Sequence, residues 1–217
     1  MSAAVLFDLD GTLTDSRPGI LACFRYALAR HAEAGGAPVV LPEDLRSIIG
    51  PPLRDTFARL AGEAEKERLM GYYLERYSPI GAFENQVYDG VEAALTRLAE
   101  SGARLFVATS KNEADARAIL AHFGLIGRFE SILGARPDGS RAGKRELIGD
   151  AIAAHGLALD EVAMIGDREF DMRGAREVGV RAIGALWGYG AREELAAAGA
   201  HALALTPAEA AEFALTR

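Results

Sequence analysis

The chain has a single cysteine, a single tryptophan and very little lysine: of 24 basic residues only Lys66, Lys111 and Lys144 are lysines. One cysteine rules out an intrachain disulfide and any cysteine-built metal cluster, and Cys23 falls on an apolar helical face that reads as core. Long apolar runs are missing too. Nothing approaches the ~20 consecutive apolar residues of a membrane span, and no basic stretch precedes an apolar one as in a signal peptide. Positive charge is in deficit, with a formal net charge of -7 at pH 7 and no block of like charge. That argues against nucleic acid and membrane surfaces as partners. The expectation is a cytoplasmic monomer or dimer. In so arginine-rich a chain, each lysine either marks a place that needs a compact point charge rather than a planar fork, or stands there by chance.

What is present is an ordinary globular composition, with 50% hydrophobic and 25% charged residues in 217, enough for a sizeable core. Apolar runs rich in β-formers recur at Ala4–Phe7, Arg104–Ala108, Ser131–Leu133, Val162–Ile165 and Val180–Ile183. Before and between the last four lie segments of helical periodicity, such as Leu95, Leu98 and Ala99, or Leu147, Ile148, Ala151 and Ile152. This alternation predicts an α/β fold with a parallel sheet and right-handed crossovers. The interval between the first two strands is too long for one crossover. Residues 17–84 read instead as several helices. The first carries Ser16 as cap, Pro18 in its first turn and Ile20, Leu21, Phe24 and Leu28 on its buried face. A short helix follows between Pro42 and Gly50-Pro51-Pro52, then Leu53–Ala61 and Glu63–Tyr77. The module has the form of a cover that excludes water from the first strand's tip, or of a static subdomain.

The chemistry concentrates at strand ends. Val5-Leu6-Phe7-Asp8-Leu9-Asp10-Gly11-Thr12 places two acids where an apolar strand meets a turn. Ligands of parallel α/β sheets bind at such carboxyl ends. Two adjacent acids repel each other and lose hydration there, unless a cation or a proton compensates. Thr109 and Ser110 end the second strand in two hydroxyls, suited either to holding a phosphate oxygen or to capping the next helix. Lys144 opens a helical segment, where a cation opposes the helix dipole and needs solvent or an anion. Asp167 and Asp171 follow the fourth strand at a spacing that brings them within reach of each other on one helical turn.

In their order and placement these four pieces resemble the haloacid dehalogenase-like hydrolase superfamily along the whole chain. Ile49-Gly50-Pro51-Pro52-Leu53-Arg54-Asp55, Ile80–Asn85 and Trp187-Gly188-Tyr189-Gly190 are similar to its phosphoglycolate phosphatase-like branch. The resemblance implies a Rossmann-like core of residues 1–16 and 85–217, with strand order 5-4-1-2-3, and an inserted α-helical cap of residues 17–84. It implies Asp8 as nucleophile, forming an aspartyl-phosphate, and Asp10 as the proton shuttle. Mg²⁺ would be held by Asp8, the Asp10 carbonyl and Asp167. Lys144 and Thr109 would bind the phosphoryl group, with Ser110 beside them and Asp171 orienting Lys144 or a metal-bound water.

The expected partner is a small phosphorylated metabolite, foremost 2-phosphoglycolate. The alternatives are a 5′-nucleotidase, a pyrophosphatase, a sugar phosphomutase or a non-catalytic phosphate-binding module. Asp10 favours phosphoryl over carbon–halogen chemistry, because the superfamily's dehalogenases lack that acid. Arg54, Arg17 and Arg76 are the candidate readers of a second anionic group. Lys66 lies in a charged run that reads as a solvated face. His31, at a helix end, reads as a partner of the helix dipole.

Overall fold

The computed structural model describes residues 3–43, 45–51, 53–136, 141 and 143–216. Its strands are β1 (Ala4–Phe7), β2 (Thr14–Asp15), β3 (Gln86–Val87), β4 (Arg104–Asn112), β5 (Ser131–Ala135), β6 (Val162–Gly166), β7 (Arg181–Ala185) and β8 (Ala202–Ala204). Its helices are α1 (Arg17–Glu33), α2 (Leu53–Ala61), α3 (Lys66–Arg76), α4 (Val91–Glu100), α5 (Glu113–His122), α6 (Lys144–His155), α7 (Glu169–Val178), α8 (Arg192–Ala197) and α9 (Pro207–Leu215). Backbone contacts divide the chain into two compact units, Met1–Asp15 with Val87–Arg217, and Ser16–Gln86.

The larger unit is built on a six-stranded sheet of order β5-β4-β1-β6-β7-β8 with every pairing parallel. The expected five-strand order is this one read from the other edge. The sixth strand, β8, is only three residues of Ala-Leu-Ala at the margin, too short and too alanine-rich to stand out as a β-former. β1 and β6 are buried along their whole length, as central parallel strands covered on both faces must be. Leu6, Phe106 and Met164 of adjacent strands pack with Leu147, Ile148 and Met172 of the covering helices.

Register is what matters for the site. Phe7 lies level with Val107 on one side and Ile165 on the other. The three strands are therefore level at Phe7, Val107 and Ile165, with Asp8, Thr109 and Asp167 one or two residues further on. The second strand runs past the expected Ala108 to Asn112, and its pairing with β5 shifts between Ala108 and Asn112. Such a bulge re-aims side chains, here those of Thr109, Ser110 and Lys111.

The smaller unit is helical. Phe24 of α1, Phe57 of α2 and Tyr73 of α3 meet with ring centroids 5.0, 5.2 and 6.0 Å apart, and Cys23 is buried beside them. The helix expected after Pro42 is a single 3₁₀ turn, Leu45–Ile48; Pro52, part of the predicted stop, lies outside the described residues. The helix expected over 63–77 begins at Lys66 and continues into a wide turn, Tyr77–Gly81. Ser16 precedes α1 without a side-chain cap bond. His31 is in the last turn of α1 as expected, but it is buried, with Nδ1 3.7 Å from Glu65 Oε2.

Helices α6 and α7 approach closely because Gly174 has no side chain. A Cβ there would lie 2.6 Å from the Cβ of Lys144 and 2.9 Å from the Arg145 nitrogen. Gly174→Ala is expected to push α6 away and to cost about 1–3 kcal/mol, the usual price of overpacking. Urea titration of the variant checks the figure, and an unchanged midpoint contradicts it.

Candidate active site

Asp8 extends the sheet by one last bond, its N–H donating to Ile165 O at 2.9 Å. Its Oδ1 accepts from the Leu9 N–H at 2.7 Å and pairs with Lys144 Nζ at 2.7 Å. Among the described residues nothing bonds its Oδ2. The carboxylate is thus held by one oxygen while the other faces outward, and the residue is 8% exposed.

Lys144 settles the alternatives open for a cation at a helix start. It is buried, and anions surround it. Its ammonium has three protons and three partners: Asp8 Oδ1 at 2.7 Å, Asp171 Oδ1 at 2.7 Å and the Ala108 carbonyl at 2.8 Å. Burial pulls its pKa down, but the two carboxylates outweigh that and hold it above the ordinary lysine value.

Asp167 sits on the turn between β6 and α7, and Asp171 in the first turn of α7. The Arg168 N–H donates to Asp171 Oδ2 at 3.0 Å, so this acid also caps the helix. Asp167 is fully buried and, among the described residues, forms no ion pair, although the Arg168 charge acts on it. Its Oδ2 accepts from the Tyr189 N–H at 2.7 Å and its Oδ1 from the Thr12 hydroxyl at 3.4 Å. The loop carrying Tyr189 fits only because its glycines are bare. A Cβ on Gly188 would fall 2.3 Å from Asp167 Cβ, and one on Gly190 would fall 1.9 Å from its carbonyl oxygen. Trp187 and Tyr189 pack against the site. Trp187 Nε1 donates to Thr12 O at 3.0 Å, and the Tyr189 hydroxyl donates to Asp15 Oδ1 at 3.0 Å.

Asp8, Asp167 and Asp171 offer carboxylate oxygens that all lie within 4.8 Å of one another. One ammonium does not neutralise three acids. Burial, with Asp171 and Asp10 nearby and only partly offset by Lys144, raises Asp8 to about 6. Burial, then Asp171 and Asp8, raise Asp167 well above the usual carboxylate range. An all-oxygen set with excess negative charge fits a hard divalent cation.

The remaining sequence candidates divide. Thr109 is buried at the tip of the same three strands and accepts from the Lys111 N–H at 3.3 Å, with Ser110 next to it. Asp10 pairs through Oδ2 with Lys111 Nζ at 2.8 Å. Lys111 was marked only by the scarcity of lysine. The arginines lie in the smaller unit: Arg76 forks onto Glu84 at 2.7 and 2.8 Å, Arg54 pairs with Glu67, and Arg17 is exposed at the start of α1. Tyr189, Trp187 and Thr12 act on the site through a backbone N–H, an indole and a hydroxyl. Sequence spacing carries no signal for such roles.

A parallel sheet whose central strand tips bring together three acids and a buried lysine defines the class, and comparison with known proteins agrees. The model of the haloacid dehalogenase-like hydrolases matches residues 5–185, and the chain belongs to that family. Three relatives are similar over most of this chain. The tyrosine-protein kinase PtkA of Mycobacterium tuberculosis is 42% identical over 187 residues, 86% of this chain. The match spans only 62% of that relative's length. A solved PtkA structure has a TM-score of 0.81 at 37% identity, covering 99% of both chains. A 5′-nucleotidase of Pseudomonas aeruginosa is 42% identical across 89% of this chain and 86% of its own. A phosphoglycolate phosphatase of Xanthomonas campestris is 34% identical across 86% and 84%. The branch is the phosphoglycolate phosphatase-like one.

Asp167 gives the test of the excess charge. Its raised pKa means that stability is fully present below the ordinary carboxylate value and is lost as pH rises through the folded-state value. In metal-free buffer at pH 8, Asp167→Asn is therefore expected to be the more stable form by about 1–3 kcal/mol. The advantage shrinks as pH falls towards 4. Thermal unfolding of both proteins at several pH values reads this, and a less stable variant at pH 8 refutes it.

Proposed function

We propose that this protein is a Mg²⁺-dependent phosphomonoesterase that acts on a small metabolite through an aspartyl-phosphate on Asp8. The observation that carries the reading is the Asp8 carboxylate, pinned by one oxygen to Lys144 and left with the other oxygen unbonded at the convergence of three strand ends. Asp8, Asp167 and the Asp10 main-chain carbonyl would hold Mg²⁺, with Asp171 within reach of the same set. When bound, the cation offsets the repulsion between carboxylate and phosphate, about 4 kcal/mol for unit charges ~4 Å apart at an effective dielectric of ~20.

Asp8 Oδ2 attacks phosphorus, and the bond to the ester oxygen breaks as the new one forms. Asp10 gives its proton to the departing alkoxide. In the second half Asp10 takes a proton from water, whose oxygen attacks the phosphorus and returns Asp8 as a carboxylate. Lys144 balances the charge of both the nucleophile and the transferring group, and Asp171 keeps its ammonium in place. Thr109 and Ser110 donate hydroxyl hydrogen bonds to the phosphoryl oxygens.

The substrate reading is 2-phosphoglycolate, by likeness to the branch and to the Xanthomonas relative. A 5′-nucleotide is the second reading, and two observations favour it. The 5′-nucleotidase relative has the higher identity, 42% against 34%. Moreover two of the three candidate readers of a substrate carboxylate, Arg76 and Arg54, already pair with Glu84 and Glu67.

Asp8→Asn is expected to lower turnover of p-nitrophenyl phosphate by on the order of 10⁴-fold or more, with the circular dichroism spectrum retained. Residual Mg²⁺-dependent turnover near the native rate defeats the mechanism. A panel of 2-phosphoglycolate, 5′-nucleotides, pyrophosphate and hexose phosphates then ranks substrates by kcat/KM. Binding of phosphate without turnover of any panel member points to a binding module instead. Labelled ATP tests the kinase reaction named for the Mycobacterium relative, and the phosphatase reading expects no label on tyrosine.

A further inference from the structure

Three lysines were singled out by their rarity, and two are accounted for. Lys66 pairs with Glu63 on the surface of the helical unit, and Lys144 with Asp8 and Asp171. Lys111 is the third, and the chemistry above does not use it. Its side chain is 8% exposed, its Nζ lies 2.8 Å from Asp10 Oδ2, and the Asp10 side chain is itself only 19% exposed. Asp115, on α5, lies near enough that Lys111 and Asp10 both act on its charge.

The two oxygens of Asp10 are therefore not equivalent. Oδ2 carries the ion pair, while Oδ1 is buried and, among the described residues, accepts no hydrogen bond. A buried carboxylate oxygen without a donor is costly, and few are kept without a purpose. The backbone around it is fixed: the Gly11 N–H donates to Thr14 O at 2.8 Å, and the Thr14 N–H donates to Leu9 O at 3.0 Å. Among the described residues, the partner that sets the side-chain torsions of Asp10 is Lys111.

We propose that Lys111 is a positioning residue for Asp10: its ammonium pins Oδ2 and so fixes the orientation of the carboxyl group that hands the proton to the leaving group. This rests on the reading of Asp10 as the proton shuttle. It also gives a reason for lysine at this position. A single ammonium on an unbranched stem takes one carboxylate oxygen. A guanidinium fork takes both and would leave neither oxygen for the transferred proton.

The experiment uses leaving groups. Protonation matters for an alkyl phosphate and hardly at all for p-nitrophenyl phosphate, whose phenolate departs unaided. The quantity to read is kcat/KM, which reports phosphoryl transfer to Asp8. Lys111→Met and Lys111→Gln are expected to lower it roughly 10- to 100-fold for an alkyl ester and less than about 3-fold for the nitrophenyl ester. Lys111→Arg fails to restore the alkyl ester. Adding Lys111→Met to Asp10→Asn costs nothing more. Thermal unfolding of each variant separates loss of fold from loss of function, and any one folded Lys111 variant suffices. Equal losses for both esters, full rescue by arginine, or a further loss on top of Asp10→Asn overturn the proposal. If Asp10→Asn itself ignores the leaving group, the shuttle reading falls and takes this inference with it. If Asp10→Asn discriminates and the Lys111 variants do not, only the role of Lys111 falls.

Discussion

A single ammonium, that of Lys144, ties together three separate stretches of chain: the tip of β1 through Asp8, the middle of β4 through the Ala108 carbonyl, and the start of α7 through Asp171. A buried charge is tolerable only when opposite charge stands close by, and here two carboxylate oxygens and one carbonyl lie within 2.8 Å of the ammonium. The arrangement also decides the state of its neighbours. Asp8 keeps one oxygen engaged, Asp171 stays in its capping position, and Asp167 is left, among the described residues, without an ion pair. The site is therefore negatively biased by construction. The fold carries that bias as strain between like charges, in the way functional sites commonly trade stability for reactivity.

Much of this was readable before any coordinates, and for a definite reason. Strand residues announce themselves by β-branched and apolar runs, and acids that break such runs stand out; Asp8 and Asp167 were visible on those grounds alone. Lys144 could be flagged as a misfit at a helix start, but whether it faced solvent or anions depended on what the fold placed opposite it. Other features left no local trace. β8 is too short, and too rich in alanine, to register. The bulge at the end of β4 depends on pairing with β5. The bonds from Trp187 and Tyr189 join residues about 175 positions apart in sequence, where no periodicity can point.

The helical unit illustrates the other limit. Its aromatic cluster follows from amphipathic spacing, and α2 was placed to the residue. The arginines of the same segment could be listed but not assigned. The partners of Arg76 and Arg54 are glutamates eight and thirteen positions away, chosen by packing and not by pattern. Charged side chains on helices have many available neighbours and long flexible stems, so their pairing is decided late and locally. Substrate choice is for this reason harder to read than reaction type, which is written in short motifs at strand ends.

The common register of β1, β4 and β6 has a consequence for how such a protein can vary. Each strand acts as a ruler, delivering its last residue at a height fixed by pairing with its neighbours. One residue inserted in any of the three would advance its tip by about 3.3 Å and turn the following side chain to the opposite face of the sheet. The reacting groups are thus locked to a length count, not merely to a composition. Lineages descending from this scaffold can lengthen, shorten or replace the segments between strands almost at will, but they must carry the strands themselves unchanged in number of residues.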